Sequence, residues 1–225
     1  MKPAAEPVTI RISDDQSVSG LLLTPAVATT CFVFAHGAGA GMNHAFMATF
    51  AEGLVERGVA SIRYQFPYME TGSKRPDAPR VAHAAVRAAA AEVLRRFPQL
   101  PLIAGGKSFG ARMTSQAQAL EPLPGVGALA FVGFPLHPAG KPALDRADHL
   151  KQVGVPMLFL QGTRDELADL HLLQPAVRQL GTLATLALFE DADHSFHVRV
   201  RSGQTDAQVM SAMLDTFVEW AAKRT

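Results

Sequence analysis

The feature that most constrains the fold of this chain is a regular alternation of short apolar runs with longer, alanine-rich amphipathic segments. Short runs rich in Val, Ile, Leu and Phe indicate buried strands, and their alternation with helical segments is typical of a mostly parallel sheet with helices on both faces. We therefore predict an eight-stranded sheet, with strands at Val8 to Ile12, Ser19 to Leu23, Cys31 to Ala35, Ala60 to Tyr64, Leu102 to Gly105, Ala128 to Gly133, Val155 to Leu160 and Ala184 to Phe189.

The first two strands differ from the others because no helical segment separates them, which predicts an antiparallel hairpin at the edge of the sheet. The later strands are separated by segments with helical periodicity. These predicted helices are Asn43 to Arg57, Val81 to Arg96, Ser108 to Leu120, His171 to Leu180 and Asp206 to Ala222. In the last helix one core-facing stripe is expected, formed by Met210, Met213, Leu214, Phe217, Trp220 and Ala221.

The length of the chain fits one α/β domain or two small ones, and one domain is the simpler interpretation. The chain has 225 residues, of which 48% are hydrophobic, and this is enough for a single large core. No internal repeat or long linker divides it, so we predict a single domain over residues 1–225. The single cysteine, Cys31, can form no intramolecular disulfide and is interpreted as a buried strand residue.

Charge and hydropathy limit the possible partners. Lys and Arg total 21 against 20 for Asp and Glu, so the net charge is +1 and the basic stripe of a nucleic-acid-binding protein is missing. The first residues lack the apolar core of a signal peptide, and no apolar run approaches the length of a membrane span. We expect a cytoplasmic protein that acts on a small molecule, with no nucleic-acid or membrane partner. These features leave the oligomeric state open.

A GxSxG sequence, Gly106 to Gly110, links the predicted strand Leu102 to Gly105 to the helix that follows. In this setting the serine lies on a tight, strained turn that exposes its hydroxyl. The two glycines leave room for the strand and helix backbones to approach one another. Ser108 is therefore the candidate nucleophile.

Two other interpretations of this turn stay open at this point. Ser108 is also a favoured N-cap residue, so its hydroxyl could merely begin the helix. Gly106 to Ser108 also matches the end of the phosphate-binding motif GxxxxGK[ST], but Pro101 stands where that motif requires its first glycine.

A glycine-rich segment, His36 to Gly41, follows the predicted strand Cys31 to Ala35. Glycines let backbone N–H groups turn towards a common point, as acyl transfer requires for the oxygen of its tetrahedral intermediate. We assign the two oxyanion-hole donors to the backbone N–H groups of Ala38 and Phe109. A dinucleotide-binding turn is the alternative, but it lacks the third glycine of GxGxxG and the acidic residue after the next strand. His36 is interpreted as a structural residue that ties the loop through a ring hydrogen bond.

The acid and the base are expected after later strands, because a serine on such a turn is followed along the chain by the acid and then by the histidine. Asp165 follows the strand Val155 to Leu160, and His194 follows the last predicted strand. The alternative acids are Asp169, Asp191 and Asp193, and the alternative base is His197.

With these elements in order, the chain resembles the α/β-hydrolase superfamily over nearly its whole length, and in particular its small, dienelactone-hydrolase-like branch of serine hydrolases. The matching positions are the His36 loop, the GxSxG at Ser108, Gly162 to Asp165 and Asp193 to Phe196. The resemblance implies an α/β-hydrolase fold with Ser108, Asp165 and His194 as its catalytic triad. Dienelactone hydrolases use a cysteine nucleophile, so their substrate does not carry over to a chain with a serine at this position.

Two further segments, Phe66 to Glu70 and Gly133 to Pro138, also resemble those of this branch and follow strands on the side of the site. This resemblance implies that Tyr68, Met69 and Leu136 wall the substrate pocket. Some relatives in this branch are thought to be non-catalytic subunits of larger complexes. The alternative function is therefore an interaction module that presents Phe66, Tyr68 and Met69 to a partner.

The reaction expected from these residues is hydrolysis of a small ester, thioester or lactone, in which His194 takes the Ser108 proton and Asp165 orients the imidazole. Such a reaction needs no metal or organic cofactor. The interval Phe134 to Gly154 is rich in proline and leaves room for one short helix around Leu144 to Gln152, so no large cap is expected. An open site favours acyl groups of about two to four carbons over those of about twelve, since each exposed methylene forgoes about 0.8 kcal/mol of burial.

Overall fold

The computed structural model describes residues 4–224, and an eight-stranded sheet forms its centre. The strands are β1 (Glu6–Arg11), β2 (Ser17–Leu23), β3 (Thr30–Ala35), β4 (Val59–Tyr64), β5 (Leu102–Lys107), β6 (Val126–Val132), β7 (Met157–Gly162) and β8 (Ala184–Phe189). Their order across the sheet is β1-β2-β4-β3-β5-β6-β7-β8. β2 pairs antiparallel with β1 and β4, and all later pairs are parallel. The predicted mostly parallel sheet with an N-terminal antiparallel hairpin is confirmed.

Helices cover both faces of the sheet, as the alternating pattern predicts. They are α1 (Ala45–Val55), α2 (Pro67–Glu70), α3 (Pro79–Arg96), α4 (Phe109–Leu120), α5 (Leu170–Gln179) and α6 (Asp206–Ala221). Residues of α3, α4 and α5 share one apolar cluster with the sheet, whereas α1 and α6 pack into a second cluster on the other face. The five predicted helices are confirmed with ends that differ by at most two residues, but the single turn of α2 was not expected.

The last helix shows how local sequence positions an element against the core. Thr205 and Gln208 form a capping box that satisfies backbone donors at the start of α6. The predicted stripe is buried at Met213 and Phe217, and the indole N–H of Trp220 donates to Thr185 Oγ1 at 3.2 Å. Met210 packs against the cluster while remaining partly exposed. The stripe thus fixes α6 against β7 and β8, on which the site depends.

The crossing of the chain at the centre of the sheet determines where a site can form. β3 lies between β4 and β5, with Ala35 opposite Gly106 at the carboxyl ends of the two strands. Ligands of open α/β sheets bind in the crevice that such a reversal of strand order opens. Because β7 and β8 run parallel to β5, the loops that follow them reach the same edge.

The connection between β6 and β7 contains no large cap. Its one regular element is a single 3₁₀ turn, Asp148–Gln152, close to the predicted short helix. Leu150 buries this turn against the core, and His149 Nε2 lies 2.7 Å from Ser115 Oγ on α4. This connection therefore places no helical cap over the crevice.

Two further expectations concern single features. Cys31 is fully buried in β3, and burial raises the pKa of its thiol to about 12, so it is a core residue as interpreted. Within residues 4–224, no helix has the length and apolarity needed to cross a membrane.

Candidate active site

Ser108 lies on the turn between β5 and α4 with a backbone conformation of φ 52° and ψ −110°. Non-glycine residues rarely adopt positive φ, and such strain persists only when the surroundings impose it. A Cβ atom placed on Gly106 or on Gly110 would lie 2.5 Å from the carbonyl oxygen of Ala35. Both glycines are therefore required for the close approach of strand and helix, as the GxSxG spacing predicts.

The Ser108 hydroxyl points away from the helix that it precedes. It makes no capping hydrogen bond to α4, so the N-cap interpretation does not hold. Instead Ser108 Oγ lies 2.8 Å from His194 Nε2, and His194 Nδ1 lies 2.7 Å from Asp165 Oδ2. With the proton on Nδ1, the imidazole donates to Asp165 and leaves Nε2 to accept from the serine hydroxyl.

The Asp165 carboxylate is fully buried and held by several donors. Oδ2 accepts from Gln161 Nε2 as well as from His194, and Oδ1 accepts from the Leu167 backbone N–H at 2.8 Å. Buried charge is tolerated when it is hydrogen-bonded in this way. The carboxylate is thus fixed in one orientation towards the imidazole.

The alternative acids make other contacts. Asp169 caps α5 by accepting from the His171 N–H, and Asp193 accepts from the backbone N–H groups of Ser195 and His197. The backbone carbonyl of Asp191 accepts from Arg164. These contacts make Asp169 and Asp193 structural residues of their loops.

The alternative base, His197, is directed to the surface. Its ring Nδ1 lies 2.8 Å from Asp206 Oδ2 at the start of α6, and 63% of its side chain is exposed. The hydrogen bond to Asp206 raises the pKa of His197. His197 therefore belongs to an exposed ion pair, and the contact with Ser108 is made by His194.

His36 ties down the glycine-rich loop, as interpreted from the sequence. Its Nδ1 donates to the Gly37 carbonyl at 2.7 Å, and its Nε2 accepts from the Phe66 N–H at 3.1 Å. Burial lowers the pKa of His36 to about 4, against the opposing effect of the bond to Gly37. The ring is therefore neutral near pH 7 and fixes the loop against the start of α2.

Two backbone N–H groups beside Ser108 are left without an acceptor. Gly39 N–H donates to Tyr68 Oη at 2.9 Å and Ala40 N–H to the Gly37 carbonyl at 3.2 Å. The N–H groups of Ala38 and Phe109 donate to no atom of residues 4–224, and both residues border the cavities at Ser108. Their assignment as oxyanion-hole donors is compatible with this geometry and stays a prediction.

Two cavities meet at Ser108, and Ala38 and Leu167 also border both. The first, the Arg112 cavity, has a volume of about 440 Å³ and is lined by Phe109, Arg112, Met113, Pro135, Pro138 and Arg146. The second, the Phe46 cavity, measures about 330 Å³ and is lined by His44, Phe46, Met47, Lys107, His194 and Ser195. A larger cavity of about 580 Å³ between α1 and α6 includes none of Ser108, Asp165 and His194.

The structure does not bring Tyr68, Met69 and Leu136 to either cavity, which corrects their placement as pocket walls. Leu136 is fully buried, and Tyr68 is 4% exposed with its hydroxyl bound to the Gly39 N–H. Met69 is partly buried against Gly41. These apolar side chains pack behind the loops of the site because burial stabilises them there. Phe66 is also fully buried, so it is not presented to a partner.

Lys107 is a residue of the site that the sequence analysis missed. Its ammonium donates to the backbone carbonyl of His194 and lies 5.7 Å and 5.2 Å from the ring centres of Phe46 and Phe196. Burial lowers the pKa of Lys107 to about 8, although Asp165 and Asp193 raise it. Its position within GxSxG, next to Ser108, was the available signal. Phe46, Met47, Leu167 and Arg146 carry no such signal.

Comparisons with known proteins agree with this architecture. A dienelactone hydrolase from Anabaena variabilis superposes with a TM-score of 0.78 at 21% identity, over 100% of this chain and 99% of that one. A serine hydrolase without a lid from Xanthomonas campestris gives 0.75 at 22% identity, over 96% and 95% of the two chains. The esterase domain of a Rhodothermus marinus protein gives 0.73 at 17% identity, over 97% and 98%. At these identities the likeness concerns the fold.

The family comparison is independent of these superpositions. The sequence model of a family described as an alpha/beta hydrolase domain matches residues 28–222, from just before β3 to the end of α6. The matched region includes the Ser108 turn, Asp165 and His194. Since it spans most of the chain, and the strand order and turn geometry agree with it, this chain belongs to the α/β-hydrolase family.

Proposed function

We propose that this protein is a serine hydrolase that cleaves small ester-like acyl bonds, with Ser108 as nucleophile, His194 as general base and Asp165 as the acid of the triad. The observation that carries the proposal is the continuous hydrogen-bond chain from Ser108 Oγ to His194 (2.8 Å) and on to Asp165 (2.7 Å). Ser108 also borders two cavities, so a bond to be cleaved has access to its hydroxyl.

In the first half of the proposed reaction, Ser108 Oγ attacks the acyl carbon while His194 Nε2 takes the hydroxyl proton. Asp165 stabilises the resulting imidazolium and holds Nδ1 protonated. The carbonyl oxygen becomes an oxyanion that the N–H groups of Ala38 and Phe109 bind. One such donor is worth roughly 2.7–4 kcal/mol of barrier in other acyl-transfer enzymes.

Collapse of this intermediate breaks the bond to the leaving group, which receives the proton from His194 and departs as an alcohol or a thiol. In the second half a water molecule gives its proton to the same imidazole and attacks the acyl carbon of the ester at Ser108. The acid product leaves, and the proton returns to Ser108. The two cavities fit this sequence because they offer separate space for the acyl group and the leaving group.

Covalent labelling tests the nucleophile directly. The wild-type protein should react with a fluorophosphonate probe at Ser108, and Ser108→Ala should lose the label and lose turnover by on the order of a million-fold. Ser195→Ala is the matched control, because Ser195 is exposed beside His194 and borders the Phe46 cavity. It should keep the label. Circular dichroism verifies that each variant folds.

Two outcomes would contradict the proposal. Equal labelling of Ser108→Ala and the wild type would exclude Ser108 as the reactive serine. A folded wild type that neither takes the probe nor hydrolyses any of a panel of chromogenic esters would favour the non-catalytic interaction module. Phe66 and Tyr68, two of the residues predicted to form the surface of such a module, are buried and cannot contact a partner in this structure.

A further inference from the structure

Two arginines border the cavity into which Ser108 faces. Arg112 lies one helical turn after Ser108 on α4, with its backbone N–H donating to the Ser108 carbonyl at 3.2 Å. Arg146 belongs to the connection between β6 and β7. Both line the Arg112 cavity together with Ser108, Phe109 and Ala38. A molecule bound to Ser108 on this side would therefore lie in a cavity that is lined by two arginines.

Neither guanidinium is neutralised by the protein. Within residues 4–224, Arg112 and Arg146 form no ion pair and no side-chain hydrogen bond, and Arg112 Nε is buried without a partner. Other arginines of the chain are paired, for example Arg57 with Asp215 and Arg96 with Glu92. Burial, and then the charge of Arg146, lowers the pKa of Arg112. Among the described residues, the two like charges thus lie near each other with no carboxylate paired to either one.

The groups around these arginines offset their charge only in part. Of the residues that the structure describes, Asp77 is the one carboxylate on the cavity wall, and its Oδ2 accepts from the Tyr68 N–H at 3.0 Å. His83 and His149 lie close enough to Arg112 to feel its charge. Burial is the main cause that lowers the pKa of both rings, with Arg87 and Arg112 adding to it for His83 and Arg112 for His149, whose pKa falls to about 4. Both rings are therefore neutral near pH 7. The cavity keeps a net positive charge.

We propose that the Arg112 cavity binds an anionic group of the substrate, a carboxylate or a phosphate, and that the protein prefers esters that carry such a group over neutral esters of the same size. This inference rests on the proposed function of Ser108. Guanidinium groups bind both anions through paired N–H donors, and two of them in one cavity suit a single anionic group.

The preference is measured with pairs of esters that differ in charge and little in shape. On the leaving-group side these are para-acetoxybenzoate and para-acetoxybenzamide, with para-acetoxyphenyl phosphate to distinguish phosphate from carboxylate. On the acyl side they are the para-nitrophenyl monoester of adipic acid and its terminal amide. For at least one pair, the wild-type kcat/KM should be at least about ten-fold higher for the anionic ester than for the neutral one. A charge-assisted hydrogen bond contributes a difference of this size.

Single variants then assign the preference to the arginines. Arg112→Met and Arg146→Met should each lower kcat/KM for the preferred anionic ester about ten-fold more than kcat/KM for the matched neutral ester. Arg112→Lys keeps the charge and should retain part of the preference. Arg178→Met, which removes an exposed arginine of α5 outside both cavities, should alter neither. Equal losses for charged and neutral esters, or no charge preference in the wild type, would overturn the inference.

A binding measurement separates this inference from the proposed function. Titration calorimetry of the folded Ser108→Ala variant with adipate, inorganic phosphate and neutral adipamide requires no turnover. Adipate or phosphate should bind more tightly than adipamide, and this binding should weaken about ten-fold in Ser108→Ala/Arg112→Met. If the wild type hydrolyses no ester and yet binds the anion through Arg112, the proposed function fails and anion binding stands. If all three ligands bind equally or not at all, anion binding fails.

Discussion

The backbone strain at Ser108 predicts that glycine at this position makes the protein more stable than alanine does. Ser108 has φ 52° and ψ −110°, which alanine tolerates no better than serine. Such strain costs of order 1–3 kcal/mol, and Ser108→Gly releases it. Glycine lowers the free energy of unfolding by about 0.5–1 kcal/mol relative to alanine, because it loses more conformational freedom on folding. With the middle of each range, the free energy of unfolding of Ser108→Gly should exceed that of Ser108→Ala by about 1 kcal/mol.

Thermal unfolding of the two variants measures this difference, and because both lack the Ser108 hydroxyl, its contacts cancel from the comparison. For a chain of this size 1 kcal/mol shifts Tm by about 2–4 °C, so Ser108→Gly should melt about 2–4 °C above Ser108→Ala. Ser115 in the middle of α4 provides the control, since its backbone is helical. There the sign should reverse, with Ser115→Gly below Ser115→Ala by about 0.5–1 kcal/mol. A Ser108→Gly variant no more stable than Ser108→Ala would refute the claim that the fold imposes strain at the nucleophile.

Three further predictions concern activity. Asp165→Asn should lower kcat by about 10⁴-fold because the imidazole takes the wrong tautomer, whereas Asp193→Asn should do much less; the reverse order in steady-state ester assays would make Asp193 the acid. Lys107, with Asp165 and Asp193 facing it, should lose its proton as the pH rises through about 8 and weaken its bond to the His194 carbonyl. The pH profile of kcat should therefore fall above about 8 in the wild type, while Lys107→Met should have a lower kcat without that step; a step that persists in Lys107→Met would belong to another group. Esters with acyl chains of about two to four carbons should have higher kcat/KM than those of about twelve, since further methylenes stay in water, and a maximum at long chains would reveal a cover over the crevice.

The fold and the contacts among Ser108, His194 and Asp165 could be predicted because the signals for them are local and their combination follows a topological rule. GxSxG marks a strand-to-helix turn, and an acid and a histidine each follow a later strand. Parallel strands deliver all three to one edge of the sheet. The order of these residues along the chain was therefore enough to predict that they lie close together. The structure brings their side chains to within hydrogen-bond distance. Their catalytic roles stay predictions.

The walls of the site could not be predicted in the same way. An apolar residue in a loop after a strand faces either the cavity or the core, and the choice depends on packing that no local pattern encodes. Tyr68 and Leu136 face the core, because α2 and the chain after β6 fold back over the sheet. Phe46 and Leu167 reach the site from α1 and from the loop after β7. Their position in the same cavity as Ser108 exists only once the layers have assembled.

The cationic side chains around Ser108 differ in whether groups of the protein compensate their charge. We infer different roles for them from this difference. Lys107 faces Asp165 and Asp193, donates to a backbone carbonyl and lies near two aromatic rings. Groups of the protein therefore compensate its charge, and its hydrogen bond holds the His194 loop. Arg112 and Arg146 have no such partners within residues 4–224. A charge that the fold leaves uncompensated attracts an anion from outside. Selection of an anionic substrate is therefore expected on the Arg112 side of Ser108, and positioning of the base on the Lys107 side.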